Sequence, residues 1–244
     1  MTITSHHNEK LKEIRKLRQR RGRERSARFV AEGEDLLAAA DAAGWPALER
    51  FCAAGSGLPG TEVSPELLDS ASQLGSGTRT LALYEERWAP AAHGPLCVYL
   101  HGVSDPGNVG SVLRSAAAFG VDCVALGPGC ADPFGPKAVR ASMGAVFAVP
   151  VTRVSAAGGV GALPGTTIAL VARRGVPLRE LSSSAGAGRP ETVTLLIGAE
   201  REGLPATLVE QADHVAHIPI HSHSLNAAMA AAVALYEITR MAPP

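Results

Sequence analysis

From residue 96 onward the chain carries six short, almost uninterrupted apolar runs, at 96–100, 121–126, 145–151, 167–172, 192–197 and 215–218, with helical stretches between them. Runs of this kind leave few folds open. A strand apolar at every position is buried on both faces, and strands alternating with helices build a mostly parallel sheet with helices on either side. The expected fold class is therefore α/β. Ahead of this region, Phe29-Val30-Ala31 reads as a short strand, 34–43 as a helix stopped by Gly44, Ser64-Pro65 as a helix start and 80–84 as a closing strand. Residues 1–88 are thus expected to form a small second α/β domain, 89–95 a Pro/Ala-rich linker and 96–244 the main domain. The Gly/Ser-rich piece 182–189 is expected as a surface loop.

Charge is distributed unevenly along a chain whose formal net charge is zero. Residues 1–30 hold ten Lys/Arg against three Glu, so the remainder is acidic by the same margin. Between 8 and 21, Leu11, Ile14 and Leu17 recur at helical spacing with basic residues around them, which predicts an amphipathic helix with one docked stripe and a cationic face. Lys10, Lys12, Arg15, Arg18 and Arg21 are the candidate contacts for a polyanion, most simply nucleic acid. A solvated charged helix is the plainer alternative. No run of about 18 apolar residues and no charged-then-apolar leader is present, so a soluble, cytoplasmic protein without membrane contact is expected. Cys52, Cys97, Cys123 and Cys130 form no CxxC pair and read as core thiols rather than disulfide or zinc ligands.

Three loops at strand ends carry the candidate chemistry. The first, 104–115, follows the 96–100 strand: Asp105-Pro106-Gly107 makes a turn, Asn108 is the expected N-cap, and a helix runs over 109–119 to Gly120. Arg114 lies one helical turn after Gly110 and is expected to lean back over that gap toward the loop. The second is Gly198-Ala199-Glu200-Arg201-Glu202-Gly203-Leu204-Pro205, where Gly198 would permit close approach of a ligand to the backbone. The third, from Ile218-Pro219 to Ser224-Leu225-Asn226, enters an Ala-rich helix over 227–240 that suits close packing inside the fold or against a second copy. Ser224 is the expected N-cap there. His221 and His223 lack a third ligand at suitable spacing, so no metal site is expected.

In this order and combination the three loops resemble the SpoU (TrmH-like) branch of the SPOUT superfamily of RNA methyltransferases. Asn108-x-Gly110-x-x-x-Arg114 with Ala117-Ala118-Phe119-Gly120 is similar to the family's first motif, Gly198-x-Glu200 with Gly203-Leu204 to its second, and Ile218-Pro219 with Ser224-Leu225-Asn226 to its third. The segment from Asp132-Pro133-Phe134 to Met143-Gly144 is similar to the family's connecting piece, and the likeness covers about 96–240. Lys10-Leu11-Lys12 and Phe29-Val30-Ala31-Glu32-Gly33 resemble the substrate-binding domain often attached to such enzymes. Two departures stand out: only three residues separate Ile220 from Ser224, with His223 before the Ser-Leu-Asn, and Arg201 stands where Gly is more usual.

The resemblance implies a mostly parallel sheet with a C-terminal trefoil knot, a homodimer, S-adenosylmethionine as cofactor and methylation of a ribose 2′-hydroxyl in RNA. It implies that Gly198, Ile218 and Leu225 hold the cofactor and that Arg114 is the central catalytic residue, with Asn108, Glu200, Ser224 and Asn226 around it. A guanidinium with a pKa above about 12 is a poor base, so the expected role of Arg114 is to grip a phosphate and orient the hydroxyl. Ribosomal RNA is favoured as substrate because of the added N-terminal domain; transfer RNA, or a non-catalytic RNA-binding relative, are the alternatives. A nucleotide-dependent oxidoreductase is disfavoured, since no GxGxxG follows a strand with an acidic residue about 20 positions on.

Overall fold

The structure is a computed structural model, described here over residues 2–73, 77–181, 190–221 and 224–240. The 182–189 piece and residues 222–223 lie outside the described residues. The N-terminal region opens with α1 (Glu9–Leu17), α2 (Arg20–Ser26), β1 (Arg28–Glu32) and α3 (Glu34–Ala42). β2 (Glu49–Ala53), β3 (Thr61–Val63), α4 (Pro65–Ala71) and β4 (Thr80–Glu85) follow. The strands form one sheet in the order β1-β4-β2-β3, antiparallel except for β2 with β3. Alternate residues of β1 and β4 face opposite ways, as a pleated strand requires. Val30, Leu81 and Leu83 pack under Leu11, Ile14 and Leu17 of α1 and Leu67 and Leu68 of α4. Phe29, Ala31, Ala82 and Tyr84 face the other way, into the core of the larger sheet.

The basic amphipathic segment is two helices rather than one. Asn8 caps α1 by accepting from the Lys10 backbone N–H, and the chain turns at Arg18-Gln19. The helical period continues past this point in sequence, but Arg23 on α2 folds back and donates from Nη1 to the carbonyls of Leu17 (2.8 Å) and Arg18 (3.1 Å), closing the end of α1.

The larger sheet holds β5 (Leu96–Leu100), β6 (Cys123–Leu126), β7 (Val151–Arg153), β8 (Thr166–Leu170), β9 (Val176–Pro177), β10 (Val193–Ile197) and β11 (His214–His217). All pairings are parallel, in the order β7-β6-β5-β10-β8-β11-β9. On one face, Val98, Leu100, Val124, Leu195 and Ile197 pack against α5 (Pro106–Ala118) and α9 (Ala227–Arg240). Tyr99, Ala125 and Leu196 turn to the other face, beneath Leu208 of α8 (Ala206–Gln211). The run at 145–151 is a correction: 145–148 forms a short helix, α7 (Ala145–Ala148), which follows α6 (Pro136–Ala141), and the strand begins only at Val151. A fully buried apolar run has the same pattern in either conformation, so periodicity does not distinguish them.

The two sheets share one core. Phe29, Trp45 and Tyr84 interlock with Phe134 and Phe147, ring centroids 4.9 to 6.4 Å apart. At the edge of this cluster Arg23, 4% exposed, donates from Nε and Nη2 to Asp132 Oδ2 at 2.9 and 2.6 Å. The 89–95 connector is tied down at its start, since Ala89 exchanges hydrogen bonds with the Val151 carbonyl and the Thr152 hydroxyl. All four cysteines are free, and Cys52, Cys97 and Cys123 are buried.

Candidate active site

In an open parallel sheet, ligands bind at the carboxyl ends of the strands where the winding order reverses. Here a cavity of about 390 Å³, of ordinary small-molecule size, opens at the ends of β8, β10 and β11. Leu170, Ile197, Ile218, Leu225 and Ala227 line its apolar part, while Glu200, Arg201 and Glu202 bring charge to it. Gly198 and Ser224 also line it, so the second and third loops meet as expected.

Glycine at 198 is required by the loop itself. A Cβ there would lie far inside contact distance of the Gly203 carbonyl group and the Leu204 nitrogen. The loop's own return path excludes a side chain, and the tight crossing shapes the cavity wall. Gly110 behaves alike: a Cβ would run into the Ala138 carbonyl and the Ala141 side chain of α6. The expected gap beneath Arg114 is thus filled by a neighbouring helix.

Helix α5 begins three residues earlier than the turn chemistry of Asp-Pro-Gly suggested. Asp105 is the N-cap, its Oδ1 accepting from the Asn108 backbone N–H at 2.9 Å, and Pro106 takes the first helical position. This frees the Asn108 side chain for another task. At the start of α9 the cap is Asn226, whose Oδ1 accepts from the backbone N–H groups of Ala228 (2.9 Å) and Met229 (3.3 Å); Ser224 is not the cap.

The three polar residues form a chain whose direction is determined by that cap. With its oxygen engaged by the helix, Asn226 must present its NH2, and Nδ2 donates to Asn108 Oδ1 at 2.9 Å. Asn108 must then turn its own NH2 outward, where Nδ2 donates to Glu200 Oε1. Helix cap, two amides and a carboxylate thus run in one sense to the rim of the cavity. Replacing Asn226 by Ala should remove a cap worth about 1 kcal/mol. Asn226→Asp keeps the acceptor but cannot donate to Asn108. Thermal melts should therefore place Asn226→Asp near wild type and Asn226→Ala a few degrees lower, about 2–4 °C, while both lose the polar chain and its contribution to turnover. Equal turnover in wild type and Asn226→Asp would contradict a role for the chain.

Arg114 stands apart. It is exposed on α5, does not line the cavity, and has no hydrogen-bond or ion-pair partner among the described residues. The α5 helix packs against α6 and α9, and α9 presents Met229, Val233 and Tyr236 to solvent at 63, 39 and 47% exposure, spaced as one helical stripe.

The five basic candidates of the N-terminal helix divide. Arg18 donates to the carbonyls of Ser70, Ala71 and Ser72, closing the end of α4, and Arg15 bonds the His6 carbonyl and the Ser70 hydroxyl. Lys10 pairs with Glu49 and Lys12 with Glu9 on the surface, where such pairs are weak and exchangeable. Arg21 is exposed and unpaired among the described residues. The signal missed in the sequence is Arg23, the one arginine of the run that is buried.

The turn at 101–103 borders the cavity, with Gly102 beside Ala199. There His101 Nδ1 lies 3.1 Å from the Tyr99 hydroxyl. Burial pushes Tyr99 up to about 12 and His101 down, favouring the neutral form of each. Among the described residues no cluster of three or more His, Cys, Asp and Glu could hold a metal ion, and no helix is long and apolar enough to cross a membrane.

The SpoU rRNA Methylase family model matches residues 95–236, and the MRM3-like substrate binding domain matches residues 8–85. The chain is 27% identical over 249 residues to the 23S rRNA (guanosine(2553)-2′-O)-methyltransferase RlmP of Bacillus subtilis, covering 97% of this chain and 98% of that one. Its fold superposes on the AdoMet-bound rRNA methyltransferase of Sinorhizobium meliloti with a TM-score of 0.88 at 28% identity, covering 100% and 99% of the two chains. The AdoMet complex of the SpoU methyltransferase AviRb from Streptomyces viridochromogenes gives 0.82 at 26%, covering 96% and 98%. With that family's domain over more than half its length, on a sheet and loops of the kind just described, the chain belongs to the SpoU rRNA methylase family.

Proposed function

We propose that the chain is an S-adenosylmethionine-dependent enzyme that methylates a ribose 2′-hydroxyl of ribosomal RNA in the cytoplasm. The observation that carries this reading is the cavity at the ends of β8, β10 and β11 with the Asn226–Asn108–Glu200 chain running to its rim. The residues fit the cofactor: an apolar floor of Leu170, Ile218 and Leu225 suits a purine face, backbone at Gly198 and Leu225 offers hydrogen bonds, and Glu200 and Glu202 balance a cation. When bound, the cofactor supplies a methyl group on a positively charged sulfur.

The protein's part is positioning. A ribose hydroxyl is a weak nucleophile and must be held in line at near-attack distance. Glu200, held by Asn108, sets one wall of that space. Arg114 grips the phosphate next to the target ribose through paired, charge-assisted hydrogen bonds. A phosphate oxygen and the Ser224 hydroxyl then lie in reach of the departing proton.

Arg114 does this for a second copy of the chain. It does not line its own cavity, it projects from the helix that packs on α9, and α9 bears an exposed apolar stripe of Met229, Val233 and Tyr236. Joining two such stripes in a homodimer brings each Arg114 toward the other copy's cavity. The C-terminal trefoil knot belongs to the same reading, supported by β10 lying between β5 and β8, with β11 beyond β8. The N-terminal domain, 1–88, guides the RNA through Arg21 and the exchangeable Lys10 and Lys12, while Arg15 and Arg18 mainly shape that domain.

Mapping 2′-O-methylation across total RNA, with and without the gene, tests the proposal. Loss of one ribosomal 2′-O-methyl group is expected; an unchanged map, with purified protein that binds no S-adenosylmethionine by calorimetry, would overturn it.

A further inference from the structure

A second cavity, about 550 Å³, opens on the same carboxyl edge of the sheet at the ends of β6 and β7. The 101–103 turn touches the lining of both cavities. Gly102 donates to the Pro128 carbonyl at 2.9 Å and crosses Gly129 on this side, while on its other side it faces Ala199. The cavity is lined by Arg20, Trp88, Arg153, the 127–131 backbone and Asp132. Asp132 is already engaged by the buried Arg23 and Arg20 by Glu24, so Arg153 is the charge of the lining with no ion-pair partner among the described residues.

Arg153 is prepared for a planar partner. Its guanidinium carbon lies 3.9 Å from the Trp88 ring centroid. The Trp88 ring is itself held edge-on by Phe134 at 5.1 Å and by a hydrogen bond from Nε1 to Glu86 Oε2 at 3.0 Å. A guanidinium over a clamped indole has little rotational freedom left to lose, and Arg153 is exposed. Guanidinium planes and aromatic rings are the surfaces on which unpaired RNA bases stack. Arg20, on the neighbouring α2, shares one edge with Glu24 through Nε and is exposed.

We propose that this second cavity is a nucleotide subsite for the RNA substrate: an unpaired base flanking the methylated nucleotide stacks on Arg153, and its phosphate meets Arg20. The proposal rests on the reading of the chain as an RNA methyltransferase and adds to it a requirement for a single-stranded or splayed neighbour at the target.

The test uses full-length protein, ribosomal RNA from cells lacking the gene, tritiated S-adenosylmethionine and a fluorescein-labelled hexa-adenylate as binding probe. Arg153→Lys keeps the charge and removes the plane. It should raise KM for the RNA and Kd for hexa-adenylate about tenfold, the scale of one lost stacked base. The turnover number, the melting temperature and the S-adenosylmethionine Kd should stay within about twofold or a degree of wild type. Arg20→Gln should lower the slope of log affinity against log salt by about one. Wild-type KM and Kd in Arg153→Lys, with the parent enzyme methylating the RNA, would overturn the subsite alone. A parent enzyme that methylates none of the RNA would overturn the subsite and the methyltransferase reading together.

Discussion

Arg114→Ala and Leu225→Arg are each expected to abolish methyl transfer as pure proteins, and to regain it when mixed. The first removes the phosphate grip; the second puts a charged side chain into the cavity. In a dimer whose sites each draw Arg114 from the opposite copy, a mixed pair has one intact site: the cavity of the Arg114→Ala chain served by the arginine of the other. Random pairing leaves about a quarter of the wild-type sites working. Each pure variant should fall at least about 100-fold in turnover, the scale for losing a positioned charge-stabilising donor. Arg114→Lys should stay close to Arg114→Ala, because an ammonium cannot make the paired contact of a guanidinium. Co-expression with two affinity tags, followed by tandem purification of the mixed dimer, gives the measurement. A mixed dimer as inactive as its parents would mean that Arg114 serves its own chain's cavity, or none.

The second large effect is on stability. Arg23→Ala leaves the largely covered Asp132 carboxylate without its arginine and strips the end of α1 of two hydrogen bonds. Breaking one side of a buried ion pair costs about 3–5 kcal/mol. For a chain of this length that corresponds to a fall in melting temperature of roughly 10 °C or more. Arg23→Met combined with Asp132→Leu should recover much of the loss, since the desolvation cost disappears with both charges. Calorimetric melts of Arg23→Ala and of the double variant decide it. A single variant that melts within a degree of wild type would show that the pair contributes nothing to joining the two sheets.

Much of this architecture was legible in the sequence, and what was not has identifiable causes. The apolar runs located β5, β6, β8, β10 and β11 to within two residues, because strands buried on both sides have no polar positions to confuse the pattern. The run at 145–151 contained both a helix and a strand, which burial makes alike. β2 and β3 escaped because one begins with Glu49-Arg50 and the other is three residues long.

At the site, residue types were easier to find than their jobs. Asn108 and Ser224 looked like caps because each precedes a helical run, yet Asp105 and Asn226 cap those helices. Cap preference is a local property, whereas the bond from Asn226 to Asn108 joins residues 118 positions apart. Gly198 was legible as a position that excludes a side chain, but what excludes it is the Gly203–Leu204 backbone returning across it. The basic run gave the sign of the surface and not the roles of its members, because Arg18 and Arg23 reach carbonyls that only the folded helices bring near.

Asn226 is both the first turn of the last helix and the first donor of the polar chain. The amides at the rim therefore cannot be set until α9, which follows every strand of the sheet, is seated. A polypeptide still emerging from the ribosome, with every earlier strand in place, would hold Asn108 and Glu200 without the group that orients them. On the proposed role of these amides, competence for chemistry waits on the seating of α9, and a copy folded only as far as β11 stays silent beside the very RNA it is built to modify.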